Sequence, residues 1–71
     1  RENILGIVRM NSYIKNMHAF FVDFDRKILQ FDIIVSFTAK DIKGLKEELM
    51  SEIEEKYPFY QVYINVDYRY S

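Results

Sequence analysis

The sequence predicts one α+β domain whose elements follow the order α-β-β-α-β. Its 71 residues suit a single small hydrophobic core. Residues 28–37 alternate in the way of a strand that buries one of its faces, and residues 60–70 do the same. Between them, residues 38–57 carry an apolar stripe at helical spacing with charged side chains around it. A shorter helix and another strand are expected to precede this strand–helix–strand unit.

Composition narrows the class of protein. The formal net charge is −1, without the basic patch that nucleic-acid binding requires. Because cysteine is absent, disulfide scaffolds, thiolate metal sites and thiol nucleophiles are excluded. The longest uncharged apolar run is far shorter than the roughly 20 residues that span a bilayer, and no signal-peptide pattern occurs. The chain starts at Arg1 and not at a methionine, so we expect residues 1–71 to be one domain cut from a longer protein.

The first part of the chain predicts a helix followed by a hairpin. Apolar residues recur at helical spacing in "ENILGIVRM", which favours a short amphipathic helix over about residues 1–10. Two extended stretches follow and are joined at Asp25-Arg26, which predicts an antiparallel pair of strands. Asp23 and Asp25 suit the chemistry of the connecting turn.

The second helix has clear end signals. Thr38 and Asp41 are typical of a helix start, and Tyr57-Pro58 predicts its end. Its buried stripe is expected to be Ile42, Leu45, Leu49 and Ile53. A helix between the second and third strands makes them parallel neighbours joined by a right-handed crossover. Both helices then cover one face of a three-stranded mixed sheet, which is a ferredoxin-like open sandwich that lacks its first strand.

Strand alternation assigns each side chain to one face of this sheet. The inward face is expected to be entirely apolar: Met17, Ala19, Phe21, Leu29, Phe31, Ile33, Val35, Phe37, Val62, Ile64 and Val66. The opposite face is expected to mix apolar and polar groups: His18, Phe20, Val22, Asp32, Ile34, Tyr63, Asn65 and Asp67. An exposed patch of this kind on a small domain predicts a binding surface.

One imidazole and two carboxylates, those of His18, Asp32 and Asp67, share this second face. Asp32 is informative because the centre of a strand disfavours aspartate, and nothing in the fold requires a charge there. Imidazole with carboxylates is a ligand set for a divalent transition ion such as zinc or manganese. The residues alone leave a second interpretation open, in which these are ordinary polar groups on a solvated sheet face.

Four stretches cover nearly the whole chain in order: "MHAFFVD", "QFDIIVSF", "EIEEKYPFY" and "VYINVDYRYS". Together they resemble the cytoplasmic C-terminal domain of cation diffusion facilitator transporters. That family has a His in the first strand, a His or Asp midway along the second, and a His-x-Asp or similar pair in the third. His18, Asp32 and Asp67 stand at these positions, whereas Asn65 replaces the His that some members have.

The resemblance implies that His18, Asp32 and Asp67 bind a divalent metal ion. Zinc is the first expectation. Manganese and iron are the alternatives, because one imidazole among hard carboxylates shifts preference towards them. The full-length protein would be a divalent cation/proton antiporter with a covalently attached transmembrane domain, and this domain would lie on the cytoplasmic side of the cell membrane. A homodimer is expected through the open sheet face and the strand ends, tightened by the bound ion, with no enzymatic activity.

Three other functions compete with this interpretation. A metal-independent dimerisation module would join two copies through Phe20, Val22, Ile34 and Tyr63. An RNA-binding sheet would stack bases on Phe20 and Tyr63, but the acidic outer face and the absence of a basic patch disfavour it. An enzyme would need a nucleophile with its base or a phosphate loop, and the sequence contains neither pattern.

Overall fold

The computed structural model describes residues 2–69 and has the expected order of elements. The helices and strands are α1 (Glu2–Arg9), β1 (Ile14–Asp23), β2 (Ile28–Ser36), α2 (Ile42–Lys56) and β3 (Gln61–Arg69). Arg1 and Tyr70, which the sequence assigns to the first helix and the last strand, lie outside the described residues. The predicted α+β class and element order are confirmed.

The three strands form one sheet in the order β1-β2-β3. β1 runs antiparallel to β2, and β2 runs parallel to β3, as expected for a hairpin followed by a strand–helix–strand unit. The parallel ladder is unbroken from the Ile28–Gln61 pair to the Ser36–Arg69 pair. Across residues 2–69, neither helix has the length and apolar character needed to cross a membrane.

The hydrophobic core lies between the two helices and one face of the sheet. It comprises Ile4, Ile7, Val8, Met17, Leu29, Phe31, Ile33, Val35, Leu45, Leu49, Ile53, Val62 and Ile64. Among the described residues, no polar or charged side chain is buried. The core is therefore held by apolar packing alone, and the polar groups of the sheet lie on its other face.

Helix α2 begins one turn later than its first sequence signal. Asp41 is the N-cap: its Oδ1 accepts a hydrogen bond from the backbone N–H of Gly44 at 2.9 Å. The hydroxyl of Thr38 lies 2.7 Å from that of Ser36 and takes no part in the cap. The helix ends where the N–H of Tyr57 donates to the carbonyl of Ile53 at 2.8 Å. Asp41 thus marks the start of the helix as expected, but as the N-cap itself and not as the capping-box partner of Thr38, and the role expected of Thr38 is wrong.

The hairpin turn is stabilised by Asp23. Its Oδ1 accepts hydrogen bonds from the backbone N–H groups of Asp25 and Arg26, each at 3.0 Å. This confirms the turn role of Asp23, whereas Asp25 contributes a backbone donor.

Strand β1 departs from regular alternation. Between the pairs His18–Asp32 and Phe21–Gln30, two residues of β1 stand opposite one residue of β2. Ala19 has a φ of 55°, in the left-handed region that residues with a Cβ rarely adopt. These two features define a β-bulge, in which the extra residue reverses the faces of the strand beyond it. Ala19, expected to face the core, is exposed.

The bulge overturns part of the predicted inward face. Phe21 is 54% exposed, whereas Phe20 and Val22 pack against the core. The ring of Phe20 stacks on that of Phe31 with 6.2 Å between the ring centroids. Phe37 is also not a core residue; it is exposed because β2 ends at the preceding residue, after which strand alternation no longer places side chains.

Candidate metal centre

The sheet register brings His18, Asp32 and Asp67 to the face that carries no helix. Asp32 stands directly opposite His18 in the antiparallel ladder. Asp67 is opposite Ile34 in the parallel ladder. It therefore lies one outward-facing position further along the strands than the pair His18 and Asp32. Each of the three strands therefore contributes one candidate ligand. We call this surface the outer face, and it comprises Asn16, His18, Phe21, Ile28, Gln30, Asp32, Ile34, Gln61, Tyr63, Asn65 and Asp67.

The three side chains form a compact cluster that could hold a metal ion. One ligand atom from each lies within 4.8 Å of the others. Nε2 of His18 is 4.0 Å from Oδ2 of Asp67. Around zinc, bonds of about 2.0–2.2 Å place neighbouring ligand atoms roughly 3.0–3.5 Å apart, so the groups would have to approach by about 1 Å. The side chains of His18 and Asp67 are 46% and 62% exposed, which leaves them room to rotate towards an ion.

The cluster is acidic. Two carboxylates stand beside one imidazole, and none of the described lysine or arginine side chains pairs with Asp32 or Asp67. Like charges in one site repel each other, and a divalent cation between them would reverse this repulsion. Metal binding by the imidazole requires its neutral form. The site therefore favours a cation over an anionic ligand.

Asp32 has a second neighbour on the outer face. Nδ2 of Asn65 donates a hydrogen bond to Oδ1 of Asp32 at 3.0 Å. The two residues are direct partners in the parallel ladder. Sequence reasoning placed both residues on this face but gave Asn65 no role, because a bond between side chains of different strands depends on the register of the ladder.

An apolar surface adjoins the cluster, and its members differ from those expected. Phe20 and Val22 pack against the core and not on this face, because the bulge turns them inward. The exposed aromatic groups of the outer face are Phe21 and Tyr63, which flank Gln30 on either side. Ile34, half-buried, lies directly opposite Asp67 at the other end of the cluster. Any contact with a partner through this face would therefore involve Phe21 in place of Phe20.

Comparison with known proteins leaves the family unassigned: no protein-family model, no curated protein and no solved structure matches the chain. The likeness to cation diffusion facilitator domains thus rests on the residues of this chain and stays a prediction.

Proposed function

We propose that the domain binds one divalent cation through His18, Asp32 and Asp67 and uses it to control the association of two copies. The observation that carries this proposal is the convergence of one imidazole and two carboxylates within 4.8 Å. The three groups come from three different strands, and the centre of a strand disfavours an aspartate such as Asp32. A solvated sheet face needs no such convergence.

The ligand set favours a transition ion. One imidazole nitrogen and two carboxylate oxygens suit zinc, manganese or ferrous iron, and water completes the coordination at an exposed site. Zinc is the first candidate, since a given site of this type binds zinc more tightly than manganese or iron. Manganese and iron remain the alternatives because they accept hard oxygen ligands readily.

The apolar part of the outer face supports a homodimer next to the metal. Phe21 and Tyr63 are 54% and 50% exposed. Aromatic side chains of this kind on a small domain mark an interaction surface. An ion bound beside them would favour the dimer arrangement that completes its coordination, and would shift the population by that difference in affinity. Contact is proposed through the outer face and the ends of the strands.

The resemblance in the sequence extends this to a cellular role. The chain would be the cytoplasmic C-terminal domain of a cation diffusion facilitator transporter, attached to a transmembrane domain that exchanges divalent cations for protons. Coupling between metal level and dimer arrangement would then regulate transport. The domain itself would act as the sensor, because transport requires a membrane-embedded site.

The test is sedimentation velocity of the metal-free chain, repeated with zinc and with manganese. The proposal predicts that one or both ions strengthen or compact the dimer. His18→Ala, which removes the imidazole, should abolish this response, whereas Asp25→Ala, which removes an exposed turn carboxylate, should keep it. A wild-type dimer indifferent to both ions would favour the alternative, a metal-independent dimerisation module built on the apolar part of the outer face.

A further inference from the structure

We infer that Asn65 is a positioning residue of the metal centre, which holds Asp32 so that one carboxylate oxygen is directed to the ion. This inference rests on the proposed function and assigns a role to a residue that is not a ligand. The amide of Asn65 lies beside the cluster without adding charge to it.

The geometry of the sheet fixes the pair. Asp32 and Asn65 are direct partners in the parallel ladder, whose register is regular over its whole length. Nδ2 of Asn65 donates to Oδ1 of Asp32 at 3.0 Å. An ionised carboxylate only accepts hydrogen bonds, so the amide must turn its nitrogen towards Asp32. The backbone ladder therefore sets the partner in this bond, and the carboxylate sets its direction.

The hydrogen bond from Asn65 gives the two carboxylate oxygens of Asp32 different roles. Oδ1 is occupied by the amide, which leaves Oδ2 for a metal and favours coordination through one oxygen. The protein then supplies three ligand atoms, and water can fill the remaining positions. Hydrogen-bond partners that orient metal ligands typically contribute about 10- to 100-fold to metal affinity.

The choice of an amide also suits the charge of the site. A carboxylate at position 65 would place a third negative group beside Asp32 and could not donate a hydrogen bond to it. An amide donates the bond and stays neutral. The charge of the cluster is thus set by Asp32 and Asp67 alone, while the orientation of Asp32 depends on Asn65.

The test begins with calorimetric titration of the chain with zinc and with manganese. Asn65→Leu keeps the approximate volume of the side chain and removes its donor, and should weaken binding of the preferred ion by about 10- to 100-fold. Asn3→Leu is the matched control, because Asn3 is an exposed amide of α1, which packs on the opposite face of the sheet from the cluster. It should leave affinity unchanged. Thermal unfolding of both metal-free variants checks the fold.

A double-mutant cycle separates positioning from a general structural effect. If Asn65 acts through Asp32, Asn65→Leu should have no further effect on metal affinity in an Asp32→Ala background. It should keep its full effect in an Asp67→Ala background. For manganese, the weakened affinities of these variants can be measured by water-proton relaxation.

Three outcomes overturn the inference, and they are distinguishable. A wild-type chain that binds neither ion removes the proposed function and this inference together. Wild-type binding that Asn65→Leu leaves unchanged removes the inference alone. An equal effect of Asn65→Leu in both backgrounds also removes it, because the effect would then not depend on Asp32.

Discussion

His18 lies directly opposite Asp32 in the antiparallel ladder, and the bulge that reverses the faces of β1 begins at the next residue, Ala19. The position of the bulge therefore determines which side chains of β1 lie on the outer face with the candidate metal-binding cluster. Because the bulge follows His18, the imidazole stays on the outer face, while Phe20 turns inward to pack against the core and Phe21 turns outward. Without the bulge, Phe21 would face the core and Phe20 would lie on the outer face.

The adjacent pair Phe20 and Phe21 gives a direct test of this reversal. Phe20→Ala should lower the free energy of unfolding by about 2 kcal/mol, less than for a fully buried ring because Phe20 is half-buried. Phe21→Ala should change it by at most about 0.5 kcal/mol, because its ring is exposed. Urea unfolding of metal-free chain at low concentration measures both. A larger loss for Phe21→Ala than for Phe20→Ala would contradict the bulge.

The left-handed backbone at Ala19 makes a second prediction. Glycine adopts this conformation without a Cβ penalty, so Ala19→Gly should keep stability or raise it by up to about 1 kcal/mol. A β-branched residue fits it poorly, and Ala19→Val should lower stability by about 1–3 kcal/mol. Denaturant titration compares the two variants. If valine were tolerated as well as glycine, the positive φ at this position would be wrong.

The two glycines of the helices should respond differently to alanine. Gly6 lies within α1 with no atom near the place of a Cβ, so Gly6→Ala should stabilise by roughly 0.5–1 kcal/mol. At Gly44 a Cβ would clash with the carboxylate of Asp41, which caps α2. Gly44→Ala should gain nothing, because loss of the cap costs about 1 kcal/mol. Thermal melts of both variants measure this. An equal gain at both sites would argue against the cap.

The fold could be predicted well where alternation is unbroken. Residues of β2 and β3 such as Leu29 and Ile64 lie where their pattern places them, because the parallel ladder has no irregularity. β1 could not be predicted fully, since its bulge carries no sequence signal: alanine stands at a left-handed position where glycine would have marked it. The end of β2 was equally unmarked, and Phe37 was misplaced for that reason.

The placement of His18, Asp32 and Asp67 on one face of the sheet could be predicted, because His18 precedes the bulge and the other two lie in the regular ladder. The bond from Asn65 to Asp32 could not. It depends on which residues of β2 and β3 stand opposite each other, and the connecting helix leaves that register open in the sequence.

The most direct measurement of metal binding is calorimetric titration of zinc into three chains: wild type, Asp32→Ala and Asp25→Ala. Asp25 is an exposed carboxylate of the hairpin turn, outside the cluster, and its variant controls for loss of one negative charge. We expect wild type and Asp25→Ala to bind zinc alike. Asp32→Ala should lose tight binding and remain folded. Zinc binding by Asp32→Ala with wild-type affinity, or no binding by wild type, would contradict the metal centre.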